Sequence, residues 1–382
     1  MRGQGMPWQE HRTVDLREQF VLKASEPLRN MSELCGEFGI SRKTGYLWLD
    51  RFETEGVAGL EDRSSRPRRI TGTSAEVVVR ISELRREHPY WGPKKIRALL
   101  KAEKHKAPSV KTITRIAGRL GLASLRPKRD RKPKLEREGK RLLATKSNEV
   151  WTFDFKGWWK TQDGKRFEPL TVRDAASRFI LLCVHSRETF AAVKKHCERL
   201  FRRYGVPALI RADNGPPFAA IDAMGGLSRL SAWWTSLGIE VSFSRPATPS
   251  DNGGHERMHA DIAAELQQHP AANTAAQQRL VDEWVRKFNY VRPHEALGQR
   301  TPASVYRRSK TRMKQLEPKY PADAVVTRVS AKGRIKLDGF QYFVGTNLMG
   351  MRIGIRRIDE KLFVLFFDKN LGALTSTPQR AR

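Results

Sequence analysis

The sequence predicts a multidomain chain: N-terminal all-α helix-turn-helix units, a central α/β core and a small C-terminal β-barrel. Three observations lead there. Up to about residue 124, apolar residues recur at helical spacing behind capping residues. From Val150 the spacing changes to strand alternation interrupted by helices. From residue 324 onward, five short alternating segments are separated by Gly and Asp turns.

With 382 residues the chain is too long for one typical core. Its 72 Lys and Arg against 41 Asp and Glu give a formal charge of +31. Such an excess implies a polyanionic partner, because neutralising phosphates releases condensed counterions. Ribosomal and membrane-surface proteins can be as basic, but 39% hydrophobic residues and nine Trp supply packed cores here. Cys35, Cys183 and Cys197 form no CxxC pair, which argues against structural zinc and a disulfide scaffold. The N-terminus shows no apolar signal core, and no apolar run reaches membrane-spanning length. The expected location is a reducing, soluble compartment, in a bacterium the cytoplasm.

Residues 1–62 read as a first helix-turn-helix domain. Residues 12–23 form an amphipathic helix, followed by a short helix over residues 31–38. Gly39 and Ile40 turn the chain, and Ser41 caps the next helix. Leu34, Cys35, Phe38, Ile40 and Trp48 would make its small core. Arg42, Lys43, Tyr46 and Arg51 would then line the outer side, open to a major groove. An ordinary helical hairpin with a solvated basic face fits the same pattern. Gly45 stands where a β-branched core residue is more usual.

Residues 63–69 are a basic connector, suited to a minor groove, a phosphate track or simple linkage. Residues 70–124 read as a second helix-turn-helix-like domain. Its first helix ends at His88 and Pro89, its second has Pro93 in the first turn, and its third carries Val110, Ile113, Ile116 and Leu120. Lys111, Arg115 and Arg119 mark the outer face of that third helix. Residues 125–146, rich in Lys and Arg, read as a solvated linker whose side chains can touch phosphate.

Residues 147–312 read as the core. Strands are expected over 150–156, 167–172, 179–184, 208–211 and 240–243, with helices over 189–204, 227–237 and 254–267. That order is compatible with a ribonuclease H-like domain. Asp154 falls mid-strand, Asp213 at a strand end and Glu256 on a helix. Functional groups in open α/β sheets gather at strand ends. A lone Asp or Glu in any of these places is usually a surface or capping residue; the three together point to oxygen donors for Mg²⁺. Trp158, Trp159, Trp233 and Trp234 read as core before base-stacking platforms, with Trp158 and Trp159 the more exposed candidates. His294 has no second ligand at metal spacing. Residues 320–375 read as the barrel, with residues 380–382 a disordered tail.

The motifs Trp151-Thr-Phe-Asp-Phe-Lys156, Ile210-Arg-Ala-Asp-Asn-Gly215, Pro249-Ser-Asp-Asn-Gly-Gly-His-Glu-Arg-Met-His259 and Asn289-Tyr-Val-Arg-Pro-His-Glu-Ala-Leu297 resemble the integrase-type core of bacterial insertion-sequence transposases. The likeness extends to Leu34–Tyr46 in front and Thr301–Tyr306 behind. It implies an Asp-Asp-Glu triad at Asp154, Asp213 and Glu256, holding Mg²⁺ or Mn²⁺, as two ions. Asp213 and Glu256 are 43 positions apart, longer than usual, and the Gly-containing stretch 223–227 could absorb the excess as a loop.

The resemblance further implies metal-dependent DNA cleavage and strand transfer at an element's terminal inverted repeats. The partners would be double-stranded repeat and target DNA, together with further copies of the chain to pair two ends, and no membrane. Asn252 and Arg257 would approach phosphate around Glu256, although a salt bridge or solvated face suits Arg257 equally. Two rivals remain: a catalytically silent DNA-binding regulator with this fold, and a ribonuclease H-like hydrolytic nuclease.

Overall fold

The computed structural model describes residues 13–63, 72–123, 144–220, 223–244, 253–374 and the backbone of 379–380. It divides into two compact units, Met1–Gly72 and Thr73–Arg382. Among the described residues, no helix is long and apolar enough to cross a membrane.

In the first unit, α1 (Thr13–Ala24) lies with α2 (Met31–Glu37) and α3 (Arg42–Glu55). Asn30 and Ser41 cap α2 and α3: Ser41 Oγ accepts from the Thr44 amide at 3.2 Å. Phe20, Val21, Leu34, Cys35 and Leu60 form the core, with Phe38, Ile40 and Trp48 packed against it. Gly45 is the buried residue of α3. A Cβ there would sit 2.6 Å from Cys35 Sγ and 2.8 Å from Phe20 Cζ. The missing side chain therefore lets three helices close together, which is why Gly and not the more usual β-branched residue stands there.

The second unit opens with α4 (Ala75–Glu87), α5 (Pro93–Ala102) and α6 (Val110–Arg119). Pro93 opens α5 and Ser109 caps α6. Val77, Ile81, Leu84, Trp91, Ile96, Leu100 and Ile113 make their core. Arg85, 4% exposed, donates to the carbonyls of Leu122, Trp91, His88 and Pro89. Trp91 also meets the Arg292 guanidinium, which lies 5.9 Å from its ring centre.

The central sheet comprises β1 (Val150–Phe155), β4 (Pro169–Asp174), β5 (Ile180–His185), β6 (Leu209–Ala212) and β7 (Glu240–Phe243). A two-strand ribbon, β2 (Trp159–Lys160) and β3 (Arg166–Phe167), interrupts the connection from β1 to β4. The sheet order is β5-β4-β1-β6-β7, with β6 parallel to both neighbours and the β5-β4-β1 half antiparallel. One face packs on α7 (Phe190–Tyr204) and α8 (Arg229–Ser236), through Trp151, Phe153, Leu170, Val172, Leu200, Phe201 and Trp234.

The other face lies under α9 (Gly253–Ile262), its π-type continuation Ala263–Gln267, and α10 (Thr274–Tyr290). Ile180, Cys183, Met258, Ile262, Val281, Trp284 and Phe288 hold that layer. Sequence reading did not assign α10, although Val281, Trp284, Val285 and Phe288 recur at i, i+3, i+4 and i+7. Trp159 is buried against Phe167, whereas Trp158 is exposed beneath the Arg166 guanidinium.

A short helix, α11 (Pro302–Val305), leads to the C-terminal region. There, β8 (Val325–Arg328), β11 (Arg352–Ile358), β12 (Lys361–Phe366) and β13 (Lys369–Ala373) form one sheet. A second comprises β9 (Arg334–Leu337), β10 (Phe340–Phe343) and β14 (Gln379–Arg380). The expected strands and shared core are present, but among the described residues the two sheets stay open and do not close into a barrel. Pairing of β10 ends at Phe343, after which Gly345 and the turn Thr346–Leu348 carry the chain to the other sheet. Residue 380, expected in a disordered tail, pairs with Phe340 in β14.

The stretch expected to absorb the long Asp213–Glu256 interval is a short 3-10 turn, Met224–Gly226. It abuts the C-terminal sheet. A Cβ on Gly225 (φ +66°) would sit 2.6 Å from Leu371 Cδ2, and Leu227 and Ala232 join the C-terminal core.

Candidate active site and nucleic-acid surfaces

Strand register brings the first two acids together. β1 and β6 run parallel with Thr152 opposite Arg211; Asp154 stands two residues further along β1, and Asp213 two residues on from Arg211, just past the end of β6. Paired residues share a face, and neighbouring strands are about 4.8 Å apart. Asp154 therefore projects to the α9 side, with Asp213 following at the end of β6, while Trp151, Phe153, Ile210 and Ala212 enter the opposite core.

Asp154 is held through its backbone carbonyl. Its antiparallel partner Thr171 donates from Oγ1 to the Asp154 carbonyl at 2.8 Å and lies 2.8 Å from His259 Nε2. The hydroxyl has one proton, and giving it to that carbonyl requires His259 to donate through Nε2. His259 Nδ1 then presents a lone pair 3.8 Å from Asp154 Oδ2. Burial, with the charges of Lys156 and Arg173, pushes the His259 pKa down to about 3, so the ring is neutral. Lys156 donates to Gln267 at 3.0 Å, and burial lowers its pKa.

Asp213 is half-buried. Its Oδ1 is buried and, among the described residues, has no hydrogen-bond partner, and burial raises the carboxyl pKa against the pull of the Gly215 backbone amide. An orphaned carboxylate oxygen beside a second acid suits a hard, oxygen-seeking cation. Glu256 is exposed in the first turn of α9. Residues 245–252, which lead into that helix, include Asn252 and lie outside the described residues. Among the described residues, no three His, Cys, Asp or Glu side chains are gathered at ligand range of one point. The register thus pairs Asp154 with Asp213 but leaves Glu256 outside a closed cluster.

α9 is anchored by groups that sequence reading did not single out. Arg173, on β4, donates from Nη1 to the Gly254 carbonyl at 2.7 Å. Buried His255 is held neutral, its pKa well below the ordinary value through burial and the Arg173 charge. His255 and His259 flank Glu256 at helical spacing, a signal available beforehand; Thr171 and Arg173 emerge only once strands pair. His294 is buried beside Phe288, its pKa pushed down to about 3 by burial.

On α3, Arg42, Lys43 and Tyr46 are exposed. Arg51 is only half-exposed and lies over the Trp48 ring, 4.9 Å from its centre. Lys111, Arg115 and Arg119 are exposed along α6, and Arg257 is exposed on α9.

Integrase core domain families match residues 144–249 and 237–302. A helix-turn-helix domain family matches residues 16–68, and a homeodomain-like family residues 44–117. An insertion element IS476 protein of 39.2 kDa from Xanthomonas euvesicatoria is 27% identical over 237 residues, 61% of this chain and 65% of that protein. An insertion element IS407 protein of 31.7 kDa from Burkholderia multivorans is 27% identical over 229 residues, 59% of this chain and 79% of that one.

Among solved structures, the HTLV-2 integrase catalytic core domain in complex with magnesium is 18% identical. It covers 42% of this chain and 98% of its own, with a TM-score of 0.33. A chain of a simian T-cell lymphotropic virus intasome in complex with PP2A regulatory subunit B56 gamma covers 77% of this chain and 98% of its own, at 15% identity and a TM-score of 0.38.

The chain thus carries an integrase core domain behind helix-turn-helix domains. With relatives named as insertion element proteins, this set fits a bacterial insertion-sequence transposase.

Proposed function

We propose that the chain is a DNA transposase that binds the terminal inverted repeats of an insertion sequence, pairs two ends as an oligomer, and catalyses metal-dependent cleavage and strand transfer. The observation that carries this reading is the β1–β6 register, which sets Asp154 beside Asp213 within an integrase core domain. Asp154, Asp213 and Glu256 would hold Mg²⁺ or Mn²⁺, as two ions. Such ions, when bound, polarise a phosphoryl oxygen and activate water or a hydroxyl as nucleophile.

The protein's own residues position and exclude. Thr171 and His259 fix the Asp154 strand against α9, and Arg173 ties down the first turn of the helix that carries Glu256. His259, held neutral by burial, places no positive charge against Asp154. Lys156, on the same strand end, adds positive potential toward a phosphodiester. Contacts from α3 and α6, through Arg42, Lys43, Tyr46, Lys111, Arg115 and Arg119, would read and hold the repeat. Arg51 would contribute mainly through its packing on Trp48. A side-chain nucleophile is not needed.

The test is a joining assay with a labelled terminal-repeat duplex and plasmid target in Mg²⁺. Asp154→Ala should abolish joined products while repeat binding, followed by gel shift, stays within about twofold. Joined products from that variant would refute the assignment. Nicks without joined products from the wild-type chain would identify a hydrolytic nuclease, and binding without either product a silent regulator.

A further inference from the structure

A cleft of about 640 Å³ lies where α5 meets the core, on a flank of α9 away from Glu256. At 100° per residue, Gly254, Arg257, Met258 and Asp261 face the cleft, and Glu256 points to the other side. The cleft is lined by Lys94, Lys95, Arg173, Arg178, Arg257 and Arg292, against the acids Asp261 and Glu295.

Two of these cations are already neutralised. Arg292 pairs with Asp261 at 2.7 Å, both buried, and Lys94 pairs with Glu295 at 2.5 Å. Arg173 and Arg178 differ: among the described residues, neither meets a carboxylate at ion-pair distance. Arg173 is 6% exposed, donates to the Gly254 carbonyl, and keeps a buried Nε with no partner among the described residues. Its pKa is pushed down to about 10 by burial, with the neighbouring Arg178 charge adding to the effect. Burial lowers that of Arg178 as well.

Elsewhere the fold treats a buried arginine otherwise. Arg85 is surrounded by four carbonyl acceptors. Two neighbouring guanidiniums that meet no carboxylate at ion-pair distance, with Asp174 as the charge that partly offsets Arg173, are costly to bury unless an anion compensates them. Guanidinium forks match the oxygens of a phosphodiester.

We propose that this cleft binds a backbone phosphodiester of DNA, held by Arg173 and Arg178 on the floor and Arg257 at the rim. It is a second anchoring point, separate from the paired acids and from the outer faces of α3 and α6. The inference deepens the transposase reading by naming where the strand passes between the second helical domain and the core, and it rests on that reading only for the identity of the DNA.

The test uses the full chain in metal-free buffer with a fluorescein-labelled duplex, following anisotropy over a KCl series. Each phosphate contact contributes about 0.9 to the slope of log affinity against log salt. Arg178→Gln and, separately, the exposed Arg257→Gln should each lower that slope by about 0.9 and weaken binding several-fold at 150 mM KCl, roughly as one lost phosphate contact predicts. Arg178→Lys should restore the slope, which a merely structural role would not do.

An unchanged slope in folded Arg257→Gln and Arg178→Gln chains overturns the proposal. So does protection of the wild-type chain against thermal unfolding by low-millimolar inorganic phosphate with no change of DNA slope in the variants, since the cleft would then serve a small free anion. Because this readout needs neither metal nor joining, loss of the transposase reading and loss of the cleft register separately.

Discussion

The two faces of the central sheet are made by alternate residues of the same strands, and they are built to opposite rules. Toward α7 and α8, Trp151, Phe153, Leu170 and Val172 pack into a dry aromatic core, with the Phe153 and Trp234 rings 5.0 Å apart. Toward α9, the residues between them are Thr152, Asp154, Thr171 and Arg173, joined through one-proton hydrogen bonds and a backbone carbonyl. One face spends its burial on stability. The other carries polar groups whose hydrogen bonding is left incomplete, as at Asp213 Oδ1 and Arg173 Nε. Buried groups of that kind weaken a fold unless a ligand completes them.

The largest effect should come from Asp213→Asn, which separates the two faces by sign. Strand transfer should fall about four orders of magnitude, equivalent to about 5.5 kcal/mol of transition-state stabilisation. Stability in metal-free buffer should hold or rise, because burial already disfavours this carboxylate's charge. Denaturant melts alongside the joining assay check both halves. A destabilised Asn variant would mean that Asp213 is structural.

On the opposite face, Phe153→Ala should cost about 4 kcal/mol through a cavity beside Trp234. Urea unfolding followed by tryptophan fluorescence measures it. A loss under about 1 kcal/mol would mean that the aromatic core repacks around the gap.

A smaller effect should divide the layers by pH. His294, in the α9–α10 layer, has a folded pKa of about 3 against an ordinary 6.5. The unfolded state then binds the extra proton first. Stability from this group is complete above pH 6.5 and declines as pH falls toward 3. Asp174 and Asp213, with pKa values raised by burial, act in the opposite direction over the range above 3.8. Comparing His294→Gln with wild type cancels their contribution. The stability difference between pH 7 and pH 5 should shrink by about 2 kcal/mol in the variant, since each unit is worth about 1.4 kcal/mol. Equal pH dependence in both chains would show that His294 titrates normally.

Much of the core's order was legible before folding. Alternation in residues 150–156 assigned Trp151, Phe153 and Asp154 to opposite faces, because a strand has period two whatever it pairs with. Ser41 and Pro93 marked helix starts for local reasons, one accepting a backbone N–H and the other giving up a donor that the first turn does not use. Helix α10 escaped because its apolar positions lie between charged residues. The open C-terminal sheets and β14 escaped for a different reason: strand propensity is local, but which edge a strand pairs with is not.

What the chain's order alone determined is therefore local: helix starts, strand faces, the basic charge, and the three acids in their motif settings. Neighbours distant in sequence decided the rest. Gly45 became a contact point only when Phe20 and Cys35 closed on it, and Thr171 met Asp154 only through antiparallel register. Arg173 and Arg178 became a charged cleft floor only once α5 and α9 had excluded water from around them. Periodicity and capping depend on a few adjacent residues, whereas desolvation and pairing depend on what the folded chain places alongside.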